Sequence, residues 1–241
     1  MAPLLALARV SKNFGALKVI DDLSFDVGEG EALGILGPNG AGKTTLFNLV
    51  TGDLPASGGR IRYRGQDVTR MRNHARCRLG IGRSYQIPHP FANMTVFENV
   101  LAGAAFGSGK RERDCYDRSL ALLEEVQLLR KANLPAGSLT LLERKRLELA
   151  RALATEPSLL LLDEIAGGLT DSECQQLIET IRAVHAGGVS IVWIEHIVHA
   201  LVAVVGRLVV INFGQLLAQG TPQEVMANPV VREVYMGIEG E

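Results

Sequence analysis

Residues 37–45 read GPNGAGKTT, a stretch that combines three glycines with a lysine and two threonines. Glycines let a backbone curl so tightly that consecutive N–H groups point inward at an anion. The apolar residues 32–36 predict a buried strand before the stretch, and residues 46–50 predict a helix after it. The positive end of that helix would face the same anion. This strand–loop–helix order predicts a phosphate-binding loop, whereas the alternative is a glycine-rich turn that contains Lys-Thr by chance.

A phosphate-binding loop assigns chemistry to particular side chains. The Lys43 ammonium can reach the β- and γ-phosphates of a nucleoside triphosphate, and the Thr44 hydroxyl can bind Mg²⁺. The loop therefore predicts a bound nucleoside triphosphate with Mg²⁺. The predicted nucleotide contacts are consecutive in the sequence: Gly37, Pro38, Asn39, Gly40, Ala41, Gly42, Lys43, Thr44 and Thr45.

Two carboxylates follow an uninterrupted apolar strand. Residues 159–162 are four leucines, and Asp163 and Glu164 come next. Carboxylates beside a dry strand are costly unless they are paired or bind a metal. Hydrolysis of ATP requires a bound magnesium ion and a group that orients the attacking water. We therefore predict that Asp163 binds Mg²⁺ and that Glu164 is the catalytic base; a solvent-exposed pair at the strand terminus is the alternative.

Two further polar residues close predicted strands. Gln86 ends the predicted strand of residues 79–86, and His196 follows the apolar residues 189–194. In open parallel sheets, ligands collect at the carboxyl ends of the strands. We predict that both side chains take part in catalysis and that the Gln86 amide also contacts Mg²⁺. The alternatives are a solvated glutamine at the start of a loop and a histidine with a structural role.

The N-terminal segment alternates short β-like runs (residues 4–10, 25–27 and 32–35) with turn material (residues 13–15 and 28–30). This pattern predicts two or three antiparallel strands before the phosphate-binding loop. Phe14 lies in the first turn. It either closes that turn as a hydrophobic residue or provides a platform on which an adenine base stacks.

Composition narrows the class of protein. The chain has 241 residues, of which 47% are apolar and 21% are charged, and its formal net charge is −1. These values predict a soluble globular protein and give no reason to expect nucleic acid as a partner. Three cysteines lie far apart without a C-x-x-C pair, which predicts a reducing compartment and neither a disulfide framework nor a zinc site. We expect no signal peptide and no membrane-spanning segment.

The second half of the sequence alternates helical and strand patterns. T-x-x-E capping boxes predict helix starts at residues 95–98 and 170–173, and the second helix should end at residues 187–188. Another helix is expected after Leu139. The block of residues 95–151 predicts a helical insertion within an α/β domain. Strands are expected at residues 208–212 and 215–218, and Pro222 at the first position of a last helix.

Together these motifs resemble the ATP-binding subunits of ABC transporters over nearly the whole chain. Phe14 corresponds to the adenine-stacking aromatic residue, residues 37–45 to the Walker A loop and Gln86 to the Q-loop. Residues 159–164 correspond to Walker B and His196 to the switch histidine. The resemblance implies that the nucleotide is ATP and that the protein is an ATPase.

The resemblance also implies a fold. We expect an α/β protein with the ABC ATPase fold, which combines a RecA-like P-loop NTPase core with an antiparallel β subdomain and an inserted helical subdomain. One domain of residues 1–241 is expected. Its parts would be a nucleotide-binding core (residues 1–86 and 155–220), a helical subdomain (residues 87–154) and a C-terminal helical tail (residues 221–241).

Within the family, three segments are similar to importers of branched-chain amino acids and their urea or amide relatives: residues 82–100, 146–157 and 194–237. Such a subunit would lie at the cytoplasmic face of the inner membrane as a peripheral protein. Its partners would be a second ATPase subunit, two membrane permease subunits and, indirectly, a periplasmic or extracellular solute-binding protein, but not nucleic acid. Alternatives are the ATPase of a lipid or lipopolysaccharide exporter and a non-transport ABC ATPase that acts on ribosomes or DNA.

One motif departs from the family pattern. The signature L-S-G-G-Q should occupy residues 139–143, which read LTLLE. Thr140 keeps a hydroxyl, so it remains a predicted nucleotide contact, but Leu141 and Leu142 replace both glycines. The signature completes the nucleotide site of the partner subunit. Because the signature of this chain is altered, we expect a heterodimer with another ATPase of similar fold. The Pro-rich residues 87–91 after Gln86 should contact the permease; the alternative is a buried turn.

Overall fold

The computed structural model describes residues 2–236. The chain divides into two compact units. Unit 1 consists of Met1–Asn73 and Ser190–Glu241, and unit 2 of His74–Val189. The subdomain boundaries that the sequence predicts, at residues 86/87, 154/155 and 220/221, stay predictions. Residues 237–241 of the predicted C-terminal tail lie outside the described residues.

The secondary structure follows the chain in three stretches. The first stretch of unit 1 contains β1 (Leu5–Phe14), β2 (Leu17–Val27), β3 (Ala32–Leu36), α1 (Lys43–Thr51), β4 (Gly58–Tyr63) and β5 (Gln66–Asp67). Next come α2 (Asn73–Arg78), β6 (Ile81–Ser84), α3 (Val96–Ser108), α4 (Tyr116–Glu125), α5 (Leu141–Leu153), β7 (Leu159–Asp163) and α6 (Asp171–Ala186). The chain then returns to unit 1 with β8 (Ser190–Ile194), α7 (Val198–Val202), β9 (Arg207–Asn212), β10 (Gln215–Gly220), α8 (Pro222–Ala227) and α9 (Pro229–Met236).

Unit 1 contains an antiparallel sheet in the order β2-β1-β4-β5. Its first two strands are longer than the sequence predicts, since β1 continues to Phe14 and β2 begins at Leu17. The pairing of β1 with β2 shifts register three times between Leu7 and Asn13. Each bulge interrupts the alternation of apolar and polar side chains, so the sequence pattern ends before the strand does.

The second sheet of unit 1 places β3 between two parallel neighbours. Strand β3 pairs with β8 on one side and β9 on the other, and β10 pairs antiparallel with β9. Every residue of β3 and β8 is buried, which is expected of central parallel strands. The predicted strands at residues 208–212 and 215–218 are thereby confirmed. The helix that begins with Pro222 is also confirmed, although a further helix, α9, follows it.

Unit 2 pairs β6 with β7 in parallel, and α5 packs against β6. The last register pair is Ser84 with Leu162, so the prediction that this strand extends to Gln86 is wrong. The strand stops there because the Tyr85 N–H donates to the Glu148 carboxylate of α5 instead of continuing a ladder. The predicted capping boxes at residues 95–98 and 170–173 are confirmed, and α6 ends at the predicted position.

The lengths and apolar contents of the helices can be compared with what a membrane span requires. Within residues 2–236, none is both long and apolar enough to span a bilayer.

Candidate functional site

The loop between β3 and α1 requires glycine at two of its positions. A Cβ atom at Gly37 would lie 2.3 Å from the Ile211 carbonyl oxygen. Gly42 has φ of +99°, and a Cβ there would lie 2.7 Å from Ile20 Cδ1. A side chain at either position would force the surrounding backbone apart. Close packing of the loop against neighbouring strands therefore requires glycine at positions 37 and 42.

The start of α1 differs from that of the other capped helices. Gly42 is its N-cap and no side chain caps it, whereas α3, α5, α6 and α8 each begin with a Thr-Glu capping box. An uncapped helix start keeps its positive dipole end available to an external anion. The arrangement fits a phosphate group at this point.

Lys43 lies over this loop. Its side chain is buried, and Nζ donates hydrogen bonds to the carbonyl oxygens of Gly37 at 2.8 Å and Pro38 at 3.1 Å. The ammonium is thus held among the residues that surround the helix start. Thr44 follows on the first turn of α1 with an exposed side chain. Both residues lie in the first turn of α1.

Phe14 ends β1, and its ring is half exposed. The Lys12 ammonium lies 5.0 Å from the ring centroid and donates to the Pro55 carbonyl oxygen at 2.9 Å. A ring with an open face can stack on a planar base. The other sequence hypothesis, a hydrophobic residue that closes a turn, fits the exposed ring less well.

His196 lies directly after β8, beside a fully buried carboxylate. Glu195 Oε2 accepts hydrogen bonds from the backbone N–H groups of His196 at 3.0 Å and Ile197 at 3.4 Å. The same oxygen lies 3.6 Å from His196 Nδ1. The His196 side chain is 55% exposed. Glu195 therefore fixes the main chain that presents the imidazole to solvent, a role the sequence analysis did not predict.

In unit 2, Asp163 is the last residue of β7 and forms a buried ion pair with Arg83. Arg83 Nη2 donates to Asp163 Oδ2 at 2.7 Å, and the two side chains are only 5% and 3% exposed. The Arg83 guanidinium also lies 4.8 Å from the Tyr85 ring centroid. Parallel pairing of β6 with β7 brings the arginine and the aspartate together. Arg83 was missed, although an arginine inside an apolar predicted strand was a signal for a buried partner.

The second oxygen of the Asp163 carboxylate satisfies the condition for a metal ligand. Oδ1 is buried, and within the described part of the chain it accepts no hydrogen bond. A buried carboxylate oxygen without a partner is costly. Oxygen ligands are those that Mg²⁺ prefers. One carboxylate therefore combines an oxygen held by Arg83 with an oxygen that fits a magnesium ion.

Glu164 is brought together with Gln86. Gln86 Nε2 donates to Glu164 Oε2 at 2.7 Å. The Glu164 backbone adopts φ of +45°, which is a sparsely populated conformation for a residue with a side chain. Such strain persists only where the surrounding structure enforces it, and it is frequent at functional sites. The sequence predicted both residues for the same reaction, and their side chains are in contact.

Side chains on one face of α5 form hydrogen bonds with the main chain of the segment that follows β6. Lys145 Nζ donates to the Gln86 carbonyl oxygen at 2.6 Å, and Arg151 Nη1 donates to the His89 carbonyl oxygen at 3.0 Å. Between them, Glu148 accepts from the Tyr85 N–H and pairs with Arg151. Burial raises the pKa of Glu148, while the Arg151 charge opposes that rise. The three-residue spacing of these charged residues was the signal that the sequence analysis missed.

Helix α3 fixes the other end of this segment. The Asn99 side chain accepts from the Phe91 N–H at 2.9 Å and donates to the Phe91 carbonyl oxygen at 3.1 Å. The side chains of Ile87 and Phe91 nevertheless remain 63% and 50% exposed. Residues 87–91 therefore combine a held main chain with apolar side chains that face solvent, which argues against the alternative of a buried turn.

Thr140 begins α5 in a capping box. The Thr140 N–H donates to Glu143 Oε2 at 3.0 Å, and the Thr140 hydroxyl accepts from the Glu143 N–H at 3.4 Å. The pKa of Glu143 lies below its ordinary value: burial raises it, but the hydrogen bonds from Lys131 and from the Thr140 backbone lower it more. Leu142 is buried whereas Leu141 is 43% exposed. The bulk that a partner would meet at this helix start therefore belongs to Leu141.

Comparison with known proteins places these features in a family context. Residues 20–167 match the ABC transporter family, and residues 215–241 match the family described as branched-chain amino acid ATP-binding cassette transporter. A probable ABC transporter ATP-binding protein of Azorhizobium caulinodans is 37% identical over 98% of this chain and 83% of its own length.

Two further similarities cover almost the full length of both partners. The high-affinity branched-chain amino acid transport ATP-binding protein LivG of Salmonella typhimurium is 35% identical over 98% of each chain. A solved ATP-binding cassette of an ABC transporter, in its ADP conformation, is 29% identical, with a TM-score of 0.90 over 99% of this chain and 100% of its own.

Proposed function

The chain belongs to the ABC transporter family as an ATP-binding cassette, and from this membership we propose that it binds MgATP and hydrolyses it to drive the import of branched-chain amino acids or related small polar solutes. The ABC ATPase fold that the sequence predicts is confirmed by the same similarities. Proteins of this family are nucleotide-binding ATPase subunits of transporters. The finer assignments below rest on particular residues.

The observation that carries the nucleotide assignment is the start of α1. Gly37 and Gly42 pack too closely for side chains, and no capping side chain occupies the helix terminus. The Lys43 ammonium lies among the loop carbonyls. This combination supports phosphate binding by residues 37–45. We assign Lys43 to the β- and γ-phosphates, and Thr44 to Mg²⁺. The exposed ring of Phe14 supports its assignment to the adenine base.

For the reaction, we assign the residues of the strand ends. Asp163 would hold Mg²⁺ through its buried free oxygen, and the metal would supply charge neutralisation at the phosphates. Glu164 would act as the base that orients water. Gln86 contacts Glu164 and would couple it to the conformation of residues 87–91. His196, presented by Glu195, would complete the set. The strained backbone of Glu164 supports a functional role.

The substrate class rests on the C-terminal part of the chain and on the named relatives. LivG of Salmonella typhimurium and BraF of Pseudomonas aeruginosa are described as high-affinity branched-chain amino acid transport proteins, and each is 35% identical to this chain. The match of residues 215–241 points to the same branch. These similarities support the importer over the exporter and over the non-transport ATPase.

The assembly follows from this assignment. The cassette would lie peripherally at the cytoplasmic face of the inner membrane, together with a second ATPase subunit and two permease subunits. A solute-binding protein on the other side of the membrane would deliver the solute to the permease. The altered signature at Thr140 and Leu141 supports a heterodimer. The exposed side chains of Ile87 and Phe91, on a main chain that α3 and α5 hold, support residues 87–91 as the permease contact.

A nucleotide titration tests the binding site. The variant Lys43→Ala should bind ATP far more weakly than the wild type, because the ammonium that meets the phosphates is lost. Lys18→Ala, which removes an exposed lysine of the same unit, is the matched control and should bind normally. An unchanged ATP affinity in Lys43→Ala would show that residues 37–45 do not form the phosphate site.

Transport is tested in proteoliposomes that contain the whole complex. ATP inside the vesicles should drive uptake of labelled leucine, and Glu164→Gln in this chain should abolish uptake while ATP remains bound. ATP-driven movement of phospholipid analogues from the inner to the outer leaflet, without uptake of leucine, would favour the exporter. The permease contact is tested by crosslinking from His89→Cys, with Arg111→Cys on another exposed segment as control. If neither variant, or both equally, captured the permease, residues 87–91 would not be the contact.

A further inference from the structure

The outer face of the antiparallel sheet in unit 1 is uneven. Side chains of a strand alternate between its two faces. Ala6 and Ala8 of β1 therefore lie on one face of the sheet, and the buried Leu5 and Leu7 lie on the other. Their partners across the ladder on β4 are Arg62 and Arg60. Two short side chains on the central strand therefore lie next to two long basic ones, which leaves a depression with an alanine floor.

This depression is a groove of about 680 Å³, lined by Ala6, Ala8, Arg9, Asp22, Gly59, Arg60 and Arg62. The volume lies within the range of small-molecule sites. The lining is dominated by three guanidinium groups and contains one carboxylate. None of these residues belongs to the phosphate-binding loop or to the other residues assigned to catalysis.

The backbone around the groove is held in an unusual shape. Arg9 and Asp22 have φ of +50° and +52°, and Gly59 has φ of +80°. The Arg9 N–H donates to Ser24 Oγ at 2.8 Å, and a Cβ atom at Gly59 would lie 2.1 Å from the Arg9 carbonyl oxygen. The bulge in β1 thus inserts Arg9 beside the two arginines of β4, and only glycine at position 59 permits that approach.

The groove keeps a net positive charge within the described chain. Neither Arg9, Arg60 nor Arg62 forms an ion pair with any carboxylate of residues 2–236. Asp67, on the neighbouring strand, has its pKa lowered mainly by hydrogen bonds from Thr69 and only in smaller part by the charges of Arg60 and Arg62. Three cations thus face the carboxylate of Asp22, with the carboxylate of Asp67 beside Arg60 and Arg62 on the neighbouring strand, so the remaining positive charge favours an anionic ligand.

We propose that this groove binds a phosphorylated small molecule of about nucleotide size, at a site separate from the phosphate-binding loop. The planar guanidinium fork matches phosphate oxygens in bidentate pairs. Arg60 and Arg62 are two residues apart on one face, about 6.6 Å along the strand, so a diphosphate can contact both and relieve their repulsion. Asp22 accepts a hydrogen bond from a hydroxyl group of the ligand.

Calorimetric titration with inorganic pyrophosphate tests the proposal. The wild-type protein should bind two pyrophosphate ions, one at the phosphate-binding loop and one in the groove. Lys43→Ala should lose the first. Arg60→Gln/Arg62→Gln should lose the second, with affinity reduced about tenfold or more because charge-assisted hydrogen bonds are removed. The control Arg111→Gln/Arg113→Gln removes the same charge from an exposed segment of unit 2 and should retain both.

The readouts separate this site from the nucleotide site. ADP affinity should be unchanged in Arg60→Gln/Arg62→Gln. If that double variant does not fold, the single variant Arg9→Gln replaces it and should lower the affinity for the second pyrophosphate without changing the affinity for the first. A single pyrophosphate site in the wild type, or equal losses in the test and control doubles, would overturn the proposal. It would also fall if the groove arginines bound phosphatidylglycerol vesicles but no pyrophosphate, since the surface would then recognise a membrane.

Discussion

Lys145 Nζ of α5 donates a hydrogen bond of 2.6 Å to the carbonyl oxygen of Gln86. The amide of the same glutamine donates to Glu164. A single residue thus has its main chain held by the helix that begins at Thr140 and its side chain directed at the proposed base. The position of the Gln86 amide therefore depends on α5, a helix that lies more than fifty residues away in the sequence.

Removal of the Lys145 ammonium should loosen this arrangement. In Lys145→Met, we expect kcat for ATP to fall about tenfold, the effect of one charge-assisted hydrogen bond, while KM stays unchanged, because the phosphate-binding loop is intact. Amide hydrogen exchange in residues 85–91 should quicken. Lys110→Met removes an exposed lysine of unit 2 and serves as the control. A fall in kcat without faster exchange would assign the effect to something other than loop position.

The ion pair of Arg83 with Asp163 makes a prediction about stability. Arg83→Met leaves a buried carboxylate without its partner and should lower the free energy of unfolding by about 3–5 kcal/mol. Arg83→Met/Asp163→Asn removes the stranded charge and should recover much of that loss. Urea unfolding of the single and double variants measures the coupling. Additive losses would mean that the two side chains do not interact in solution.

The altered signature predicts unequal sites in the ATPase dimer. Loss of one donor to the transition state typically costs about 10²–10³-fold in rate, and the exposed Leu141 would obstruct the helix start that the partner's nucleotide meets. The faster site should be the one built on Lys43 and Glu164 of this chain. Glu164→Gln in this chain should therefore abolish ATP turnover of the dimer, whereas the equivalent Glu→Gln change in the partner subunit should leave most of the turnover intact. Restoring glycine at positions 141 and 142 should reduce the difference between the two turnover losses. Equal losses from the two Glu→Gln changes in the unaltered chain would refute the prediction of unequal sites.

The capping glutamates predict a dependence of stability on pH. Hydrogen bonds from the backbone and hydroxyl of the capping threonine lower the pKa of Glu98, Glu173 and Glu224 below the ordinary value of 4.5. Because the folded pKa is the lower one, the contribution is present above that ordinary value and is lost as the pH falls through the folded pKa. Glu173→Gln, whose amide can still form the capping box, should be less stable than the wild type at pH 7 and equal to it in acid. A constant difference across this range, measured by urea unfolding, would contradict the assignment.

Local sequence determined those parts of the protein whose chemistry lies within a few consecutive residues. The phosphate-binding loop was predicted because the glycines, Lys43 and Thr44 act within a single turn of chain between a strand and a helix. The threonine–glutamate capping boxes were predicted for the same reason, since both partners of each box are three residues apart. Four consecutive leucines likewise predicted β7, because a short run without polar residues is typical of a strand that is buried on both faces.

The tertiary structure decided what depends on pairing between distant residues. The end of β6 at Ser84 was set by Glu148 of α5, which takes the next backbone N–H, and no pattern near Gln86 contains that information. The Arg83–Asp163 pair required the parallel register of β6 with β7, and the groove of three arginines required the antiparallel register of β1 with β4. Register is a property of two strands at once. A sequence read along one strand gives the types of side chain on each face, but only the paired strands place one charge beside another.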